Sequence, residues 1–325
     1  MNNSEIDKAV AILKGGGLVA FPTETVYGLG ADAGNAAAIR KLYAAKGRPA
    51  DHPVIVHITD MQQLAQWARE VTPLAHKLAR QFWPGPLTLI LRRAPGVGDA
   101  VTGGQDTVGL RIPSHPVAHA LLEKFGGGVA APSANRFGRV SATTAAHVRQ
   151  EFGDAVDFVL DGGQSDVGIE STIVDATGAA PVLLRPGHIS ASDIEQAAGC
   201  ALALPTAHSP RAPGTLAAHY APATPLQVME SDLLLELAAS LARQGKRVAV
   251  LARSSLQPLL TGITWIAAPA DAAAYAHDLY AHLRTLDAAG CDAILVEQLP
   301  QRPEWAAVND RLGRAAAGSR PPEAA

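Results

Sequence analysis

Short apolar strands alternate with helical segments through roughly the first two hundred residues, and this alternation restricts the fold more than any other feature. The candidate strands are GLVAFPT, PVIVHI, LTLILR, VGLRIP, GGVAAPS and VDFVLD, and the candidate helices are residues 35–46, 61–69, 74–82, 116–125 and 143–152. Such alternation is typical of an α/β domain, in which we expect a mixed sheet. ESTIVDAT and APVLLRPG, joined through Gly178, predict a closing hairpin.

A proline-dense segment interrupts the alternation, with prolines at 205, 210, 213, 222 and 225. Proline removes a backbone donor and stiffens an extended chain, so no regular helix is expected here. The alternation then resumes with strands RVAVLA, ITWIAA and DAILVEQ and helices at about 230–243, 271–289 and 303–316. We therefore predict a first domain at 1–203, a linker at 204–225, a smaller parallel-sheet domain at 226–318, and a flexible tail at 319–325.

Composition and charge exclude several classes of protein. The 325 residues include 27 basic and 30 acidic ones, a net charge of -3, and neither half is strongly basic, so charge gives no argument for nucleic-acid binding. Two cysteines, Cys200 and Cys291, exclude a disulfide scaffold or a cysteine-rich zinc module. No secretory signal begins the chain, and no apolar run approaches the roughly 20 residues of a membrane helix. We expect a soluble cytoplasmic protein that does not bind membranes.

One familiar motif does not indicate the ligand that it usually binds. Gly28-Leu-Gly30-Ala-Asp-Ala33 fits the G-x-G-x-x-A dinucleotide pattern, but the preceding strand ends at the proline of FPTETVYGLG, six residues before Gly28. That pattern needs its glycines in the strand-to-helix turn, where the helix N-terminus faces pyrophosphate. The chain also lacks a Walker phosphate loop, a G-x-S-x-G nucleophile elbow and H-E-x-x-H. Nicotinamide binding and covalent catalysis are therefore not supported.

Polar residues lie instead at the ends of several predicted strands: the segment Thr23-Glu24-Thr25, then Lys46, Arg48, His57, Arg111, Ser133, Asn135, Ser171 and Arg185. Each alone could be structural, because basic residues suit a helix C-terminus and hydroxyls suit caps and turns. Strand ends of an α/β sheet, however, converge on one crevice. Three arginines and a lysine without a matching acidic cluster indicate a bound polyanion, and the hydroxyls and histidine indicate a small polar second ligand. The residues thus predict a nucleotide or polyphosphate site without a Walker loop.

The order of longer motifs carries a family resemblance. These motifs are FPTETVYGLG, KGRP followed by PVIVHI, WPGPLTLIL, VGLRIPSHP, APSAN, GIESTIVD and the linker PGTLAAHYAP. Together they resemble the YrdC-like threonylcarbamoyl-AMP synthase family in its two-domain form, over essentially all of residues 5–315. The resemblance implies a YrdC-like twisted mixed sheet with helices, followed by a smaller Rossmann-like α/β domain with a parallel sheet.

The resemblance also implies an activity. Enzymes of this family are nucleotidyltransferases that convert L-threonine, bicarbonate or CO2, and ATP to L-threonylcarbamoyladenylate and pyrophosphate. A partner transferase complex then moves the threonylcarbamoyl group to adenosine 37 (t6A37) of tRNAs that read ANN codons. Mg2+ accompanies ATP, and no organic cofactor is implied.

Site residues follow from matching the family's motifs. The K-x-R and S-x-N signature is present as Lys46, Arg48, Ser133 and Asn135, and the resemblance assigns these four residues to ATP and to catalysis. Further ATP contacts are assigned to His52, Thr107, Ser141, Arg185 and Tyr220, and the threonine site to Thr25, His57, Arg111 and Ser171. Metal ligands stay open: Asp32, Asp51 or Glu170 could take part, or the metal could bind through phosphates and water alone.

Two positions depart from the family pattern. His52 stands where many members carry asparagine, and the linker has Thr215 and Ala217 where many members carry methionine and tyrosine. His219 and Tyr220 remain in the linker and could supply the aromatic contact. The stiff linker is expected to fold over the pocket, with the C-terminal domain anchoring its far end.

Three other functions are alternatives to this synthase activity. The first is a non-catalytic RNA-binding YrdC-like module, which the balanced charge counts against. The second is a carbamoyl-transfer domain that uses carbamoyl phosphate, as in hydrogenase maturation proteins, whose acylphosphatase and zinc-finger modules do not occur in this sequence. The third is an interaction protein acting through its C-terminal domain, where no convergent polar pattern supports it.

Overall fold

The computed structural model describes residues 3–257 and 261–319 and divides the chain into two compact units. Unit 1 comprises Met1–Phe137 and Ser141–Thr215, and unit 2 comprises Gly138–Val140 and Leu216–Ala325. The division between Thr215 and Leu216 falls inside the segment predicted as a linker. The first part of that segment, up to Thr215, therefore packs as a portion of unit 1.

A nine-stranded mixed sheet forms the centre of unit 1, as the alternation predicted. Its strands are β1 Val19–Phe21, β2 Gly28–Asp32, β3 Ile55–His57, β4 Leu87–Arg92, β5 Thr107–Arg111, β6 Val129–Ala130, β7 Phe158–Val159, β8 Thr172–Asp175 and β9 Val182–Arg185. They lie in the order β7-β1-β2-β6-β3-β5-β4-β8-β9. Strands β3 and β5 run parallel, as do β4 and β8, whereas β8 and β9 form the predicted antiparallel hairpin.

Eight helices accompany this sheet among the described residues of unit 1: α1 Asn3–Lys14, α2 Ala36–Lys46, α3 Leu64–Trp67, α4 Pro73–Phe82, α5 Asp99–Thr102, α6 Pro116–Phe125, α7 Ala145–Phe152 and α8 Ala191–Ala198. Helix α2 begins after Asn35, whose side chain accepts from the backbone N–H groups of Ala37 and Ala38. It ends at Gly47 with φ 62°, a left-handed conformation that suits glycine. This sharp end places Lys46 and Arg48 at the start of a loop. The predicted helix at 61–69 is shorter, a 3-10 turn followed by α3.

The glycines of the apparent dinucleotide motif lie in a strand. Gly28 and Gly30 belong to β2, which pairs antiparallel with β1. A Cβ atom at Gly30 would lie 2.8 Å from the Phe21 ring and 3.0 Å from Val129 Cγ1. These glycines therefore allow close packing within the sheet, and a turn that could cradle pyrophosphate is absent from this position.

Unit 2 contains the predicted parallel sheet. Its strands, β10 Leu226–Met229, β11 Val248–Ala252, β12 Ile263–Ala267 and β13 Ala293–Glu297, lie in the order β10-β13-β11-β12 with every pair parallel. The described helices are α9 Ser231–Arg243, α10 Ala272–Ala288 and α11 Ala306–Gly318. Strand β10 was not predicted, because it is short and directly follows Pro225. In the described part of the chain, no helix has the length and apolar character needed to cross a bilayer.

Glu297, at the end of β13, is a buried carboxylate that fixes a loop of unit 2. Its Oε2 accepts from the backbone N–H groups of Arg253, Ser254 and Ser255 at 2.7, 2.9 and 3.2 Å, and its Oε1 accepts from the Ser231 and Ser254 hydroxyls. Burial alone would raise the pKa of Glu297, but the hydrogen bonds from Ser254 and its neighbours lower it to about 2. The ionised carboxylate therefore stabilises the folded unit.

We expect Glu297→Gln to lower the free energy of unfolding of unit 2 by on the order of 3 kcal/mol at pH 7. A carboxyl group whose pKa is lowered by folding stabilises the folded state at pH values above its unfolded pKa of about 4.5. This stabilisation is lost as the pH falls towards the folded pKa of about 2. The difference between variant and wild type in chemical denaturation should therefore shrink between pH 7 and pH 3.5. Glu304→Gln, at an exposed position, is the control. A constant difference at both pH values would contradict the account.

Candidate active site

Lys46 links the K-x-R segment, to which it belongs, with the S-x-N segment. From the end of α2 its Nζ donates to the backbone carbonyl of Ser133 at 2.7 Å and to that of Asn135. The side chain is buried, with 3% of its surface exposed. Burial, and then the positive charge of Arg48, holds the pKa of Lys46 well below its usual range. The structure thus brings together residues that the sequence separates widely.

Arg48 and His52 lie on the loop after α2. Arg48 Nη2 donates to the Pro53 carbonyl at 2.6 Å, and its guanidinium carbon lies 6.0 Å from the centre of the Tyr43 ring. The His52 ring packs edge-on against Phe137, with ring centres 5.4 Å apart. Burial and the nearby Arg48 lower the pKa of His52, so its imidazole is neutral at pH 7. A neutral ring next to Phe137 is suited to stacking or hydrogen bonding with a base.

A buried carboxylate accompanies the S-x-N loop. Ser141 Oγ donates to Glu170 Oε1 at 2.6 Å and lies 3.5 Å from Asn135 Oδ1. Glu170 is only 6% exposed, and its charge acts to raise the pKa of Lys46 against the larger effect of burial. The predicted ATP contacts Ser141 and Asn135 are therefore adjacent. Glu170, which the sequence indicated only as a possible metal ligand, orients Ser141.

Arg111, at the end of β5, is surrounded by protein partners. Its Nε donates to the Gly85 carbonyl at 3.2 Å, its Nη1 donates to Thr25 Oγ1 at 2.8 Å, and its Nη2 lies 2.7 Å from Glu24 Oε1. Arg111 and Glu24 are each 4% exposed. The expectation that the basic residues lack acidic partners is therefore wrong, because Glu24 and Glu170 are buried beside them. Glu24 precedes Thr25 in the segment PTET, but its pairing is a tertiary contact that spacing does not reveal.

His57 lies next to Arg111 on the neighbouring parallel strand, with the two residues in register. Its ring meets Phe21 edge-on, with centres 6.1 Å apart. Burial and the charge of Arg111 lower the pKa of His57 well below its usual value, so the ring is neutral. Its buried Nδ1 has no hydrogen-bond partner within the described structure. The Val129 backbone acts to raise the pKa of the ring, but the buried Nδ1 requires an explanation such as a bound water or ligand.

Ser171 connects the threonine set with Arg185. Its hydroxyl lies 2.8 Å from Thr88 Oγ1, and its carbonyl accepts from Arg185 Nε and Nη2 at 3.1 and 2.9 Å. Arg185 Nη1 donates to the Pro213 carbonyl at 2.9 Å. Arg185, which the resemblance assigns to ATP, therefore bridges the predicted threonine site and the proline-dense segment.

The proline-dense segment also contacts the rest of unit 1 through Ala212 and Arg211. Ala212 packs with Ile55, Ile90 and Ile173. The Arg211 backbone N–H donates to Gln105 Oε1 at 2.7 Å, and Gln105 Nε2 donates back to the Arg211 carbonyl at 3.1 Å. Thr107, Arg211 and Pro213 line one small cavity, along with other residues. The predicted ATP residue Thr107 thus lies where this segment covers the sheet.

Tyr220 is placed in the interior of unit 2. Its φ is 60°, its ring stacks on Tyr280 with centres 5.8 Å apart, and the guanidinium carbon of Arg311 lies 5.3 Å from its ring centre. The side chain is 1% exposed. His219 packs edge-on against the same ring at 4.2 Å. The structure gives Tyr220 a packing role, and its contact with ATP stays a prediction.

The three candidate metal ligands do not form one site. Asp32 Oδ1 accepts from the Gly34 backbone N–H at 2.8 Å, Asp51 lies 3.5 Å from Arg211 Nη1, and Glu170 accepts from Ser141. Within residues 3–257 and 261–319, no group of three or more His, Cys, Asp or Glu side chains could hold a metal ion. We therefore assign no metal ligand to the protein.

Comparison with known proteins decides the family. Residues 11–187 match the Sua5–YciO–YrdC family model, described as "Telomere recombination", and residues 189–317 match the model "Threonylcarbamoyl-AMP synthase, C-terminal domain". The chain belongs to the threonylcarbamoyl-AMP synthase family. Threonylcarbamoyl-AMP synthase of Pyrococcus abyssi is 39% identical over 94% of this chain and 92% of its own length. The Bacillus subtilis enzyme is 38% identical over 98% of this chain and 94% of its own length.

Solved structures agree with this threonylcarbamoyl-AMP synthase assignment. P. abyssi Sua5 complexed with L-threonine has a TM-score of 0.89 and 36% identity, covering 98% of this chain and 96% of that chain. A P. abyssi Sua5 variant, in which a consecutive histidine and tyrosine are replaced by alanine, has a TM-score of 0.90 and 37% identity, covering 98% and 94%. These matches confirm the predicted fold in both the mixed-sheet domain and the parallel-sheet domain.

Proposed function

We propose that this threonylcarbamoyl-AMP synthase family member condenses L-threonine, bicarbonate or CO2, and ATP to L-threonylcarbamoyladenylate, with release of pyrophosphate. The observation that carries the proposal is the juxtaposition of Thr25, Arg111 and His57 in a buried polar cluster with an unsatisfied imidazole nitrogen. A cluster of this kind fits a small polar molecule, and the P. abyssi relative was crystallised with L-threonine. The product would serve a downstream transferase complex that forms t6A37 in tRNAs reading ANN codons.

The chemistry requires two bond-forming steps. Threonine enters with an ammonium group, which first gives a proton to solvent. The neutral nitrogen then bonds to the carbon of CO2 and loses a second proton to solvent, which gives a carbamate. A carbamate oxygen then bonds to the α-phosphorus of ATP as the bond to the bridging oxygen breaks and pyrophosphate leaves in line. Such a displacement depends on positioning and charge neutralisation more than on a protein nucleophile. This accounts for a site without a catalytic triad.

Basic side chains held by short protein contacts suit the phosphate end of this reaction. Lys46 is fixed by two carbonyls, Arg48 by Pro53, and Arg185 by Ser171 and Pro213. Cations whose orientation is fixed before the reaction stabilise charge that develops on the phosphates without reorganising. Mg2+ would enter with ATP, bound by phosphate oxygens and water, and we assign no protein ligand to it.

The segment from Ala207 to Thr215 acts as a cover for the reaction in this proposal. A carbamate decomposes readily in bulk water, so excluding water prolongs its lifetime. The bond from Arg185 to the Pro213 carbonyl and the packing of Ala212 support a cover that closes on unit 1. The larger part of unit 2 follows in the chain from Leu216, so the far end of the segment is covalently continuous with it.

The non-catalytic RNA-binding alternative has little in its favour. The curated relatives that cover most of this chain are named as synthases, and the charge of the chain is balanced at 27 basic and 30 acidic residues. Non-specific RNA binding depends on clustered cations that release counterions from phosphates. The alternative would return if tRNA bound with a steep salt dependence in the absence of any ATP consumption.

Pyrophosphate release from ATP tests the proposal when threonine and bicarbonate are omitted in turn. We expect release only when both are present, and poor replacement of threonine by serine. ATP consumption without threonine, or no consumption under any condition, would overturn the proposed activity while leaving the fold intact.

We expect Arg111→Lys to raise the threonine concentration needed for half-maximal rate by on the order of tenfold or more, with a smaller effect on the ATP requirement. A lysine ammonium has no planar fork and cannot contact Gly85, Thr25 and Glu24 together as the guanidinium does. Steady-state kinetics at varied threonine measures this change, with Arg40→Lys on the exposed face of α2 as the control. An unchanged threonine dependence would remove Arg111 from the amino-acid site.

A further inference from the structure

Three polar atoms of the buried Arg111–Glu24 pair lack hydrogen-bond partners in the described structure. Both Glu24 oxygens and Arg111 Nη2 are inaccessible to solvent and make no hydrogen bond of acceptable geometry. Nη2 lies 2.7 Å from Glu24 Oε1, so the two groups are in ionic contact but misaligned for hydrogen bonding. Buried polar groups in native proteins are nearly always satisfied, so three orphan atoms in one contact require an explanation.

The other atoms of the guanidinium are already committed. Nε donates to Gly85 and Nη1 donates to Thr25, which fixes the plane of the Arg111 side chain. Glu24 is held from its backbone, because its carbonyl accepts from the Val167 N–H at 2.7 Å. What the pair still offers is therefore a donor on Arg111 and two acceptors on Glu24, side by side.

A zwitterion is the ligand that complements such a pair. The carboxylate of an α-amino acid accepts from a guanidinium, and its ammonium donates to a carboxylate, which gives four charges of alternating sign. A buried charged group that loses its hydrogen-bond partner stays unpaired, which is unfavourable. Such a site therefore strongly rejects ligands that lack the matching group. Arg111 alone would recognise any carboxylate, and Glu24 supplies the discrimination at the nitrogen.

We propose that Glu24 is a specificity-determining residue that binds the α-ammonium group of the amino-acid substrate, while Arg111 binds its α-carboxylate. This inference rests on the proposed function, because it takes an amino acid to be the ligand beside Arg111. Glu24 thereby selects an α-amino acid over the corresponding α-hydroxy acid. It also fixes the nitrogen that is to be carboxylated at one place in the site.

Calorimetric titration of the full chain with two ligands tests the inference. The ligands are L-threonine and 2,3-dihydroxybutanoate of matching configuration, in which a hydroxyl replaces the ammonium. In the wild type we expect threonine to bind at least about 30-fold more tightly. In Glu24→Gln, which keeps the shape and removes the charge, threonine should bind about 30-fold more weakly, whereas the hydroxy acid should change by less than about threefold.

The discrimination between the two ligands separates recognition from a structural role. Equal losses for both ligands in Glu24→Gln would mean that Glu24 only holds Arg111 in place, and unchanged threonine binding would mean that it takes no part; either result overturns the inference. Glu123→Gln, on the exposed face of α6, is the matched control and should bind both ligands as the wild type does. If Glu24→Gln does not fold, the wild-type comparison still decides, because equal affinity for the two ligands contradicts the inference.

The synthase assay keeps this inference apart from the proposed function. If the wild type makes no threonylcarbamoyladenylate but binds threonine selectively, and Glu24→Gln loses that selectivity, the proposed activity fails and the role of Glu24 stands. If the wild type makes the product while Glu24→Gln retains full discrimination against the hydroxy acid, the role of Glu24 fails alone. A wild type that binds neither ligand would overturn both.

Discussion

Replacing Lys46 with alanine is expected to lower turnover by on the order of 100-fold, which corresponds to about 2.7 kcal/mol of transition-state stabilisation. The substitution removes a buried cation and also releases the carbonyls of Ser133 and Asn135. Both effects disturb the same site, since the S-x-N loop is the predicted partner of ATP. Steady-state kinetics of pyrophosphate release measures the loss. A fall of less than threefold would show that Lys46 has only a packing role.

Two further measurements isolate the charge of Lys46. Lys41→Ala, on the same helix, removes a half-exposed lysine that pairs with Asp157, and it should keep nearly full turnover. Because burial lowers the pKa of Lys46, activity that depends on its ammonium should fall with rising pH well before the usual lysine value of 10.5. Lys46→Arg should move that fall to higher pH, since arginine keeps its charge. An unshifted alkaline limb would contradict a role for the charge.

Ending the chain at Ala207 is expected to leave a folded unit 1 with turnover lower by on the order of 100-fold. The truncation removes Arg211, Ala212 and Pro213, which attach the proline-dense segment to Gln105, the isoleucine cluster and Arg185. Without this cover, water reaches the carbamate. Circular dichroism reports folding, and the rate of pyrophosphate release reports the loss of turnover.

A chain ending at Thr215 is the matched comparison for this truncation. It lacks unit 2 from Leu216 onwards but keeps the segment that contacts unit 1, so it should be more active than the chain ending at Ala207. Equal activity in the two truncated chains would show that the segment needs its tether. Full activity in the shorter chain would contradict the covering role of the segment altogether.

Some features of the fold follow directly from the sequence pattern. Strands β4 and β13 are rich in aliphatic residues, and helix α6 begins with Pro116 and is capped at its C-terminus by Gly126, so their positions are determined locally. Strand β2 was not predicted because two of its five residues are glycine, which strands usually avoid. The need for glycine is a tertiary effect, because Phe21 packs against both Gly28 and Gly30, and Val129 packs against Gly30.

The candidate site shows the same division between local and tertiary information. The residue types at strand ends predicted a polar crevice, and the family motifs indicated which of them to group. Neither could show that Glu24 faces Arg111, that Glu170 accepts from Ser141, or that Arg185 joins Ser171 to Pro213. These are contacts between distant parts of the chain, and they depend on strand order and register, which spacing does not determine.

A single-turnover reaction with 13C-labelled bicarbonate tests the central claim most directly. The full chain is mixed with ATP, L-threonine and the label, and the products are identified by mass spectrometry. We predict one threonylcarbamoyladenylate that carries one labelled carbon for each pyrophosphate released. Formation of ADP and phosphate, or of pyrophosphate without a labelled adenylate, would contradict the proposed activity.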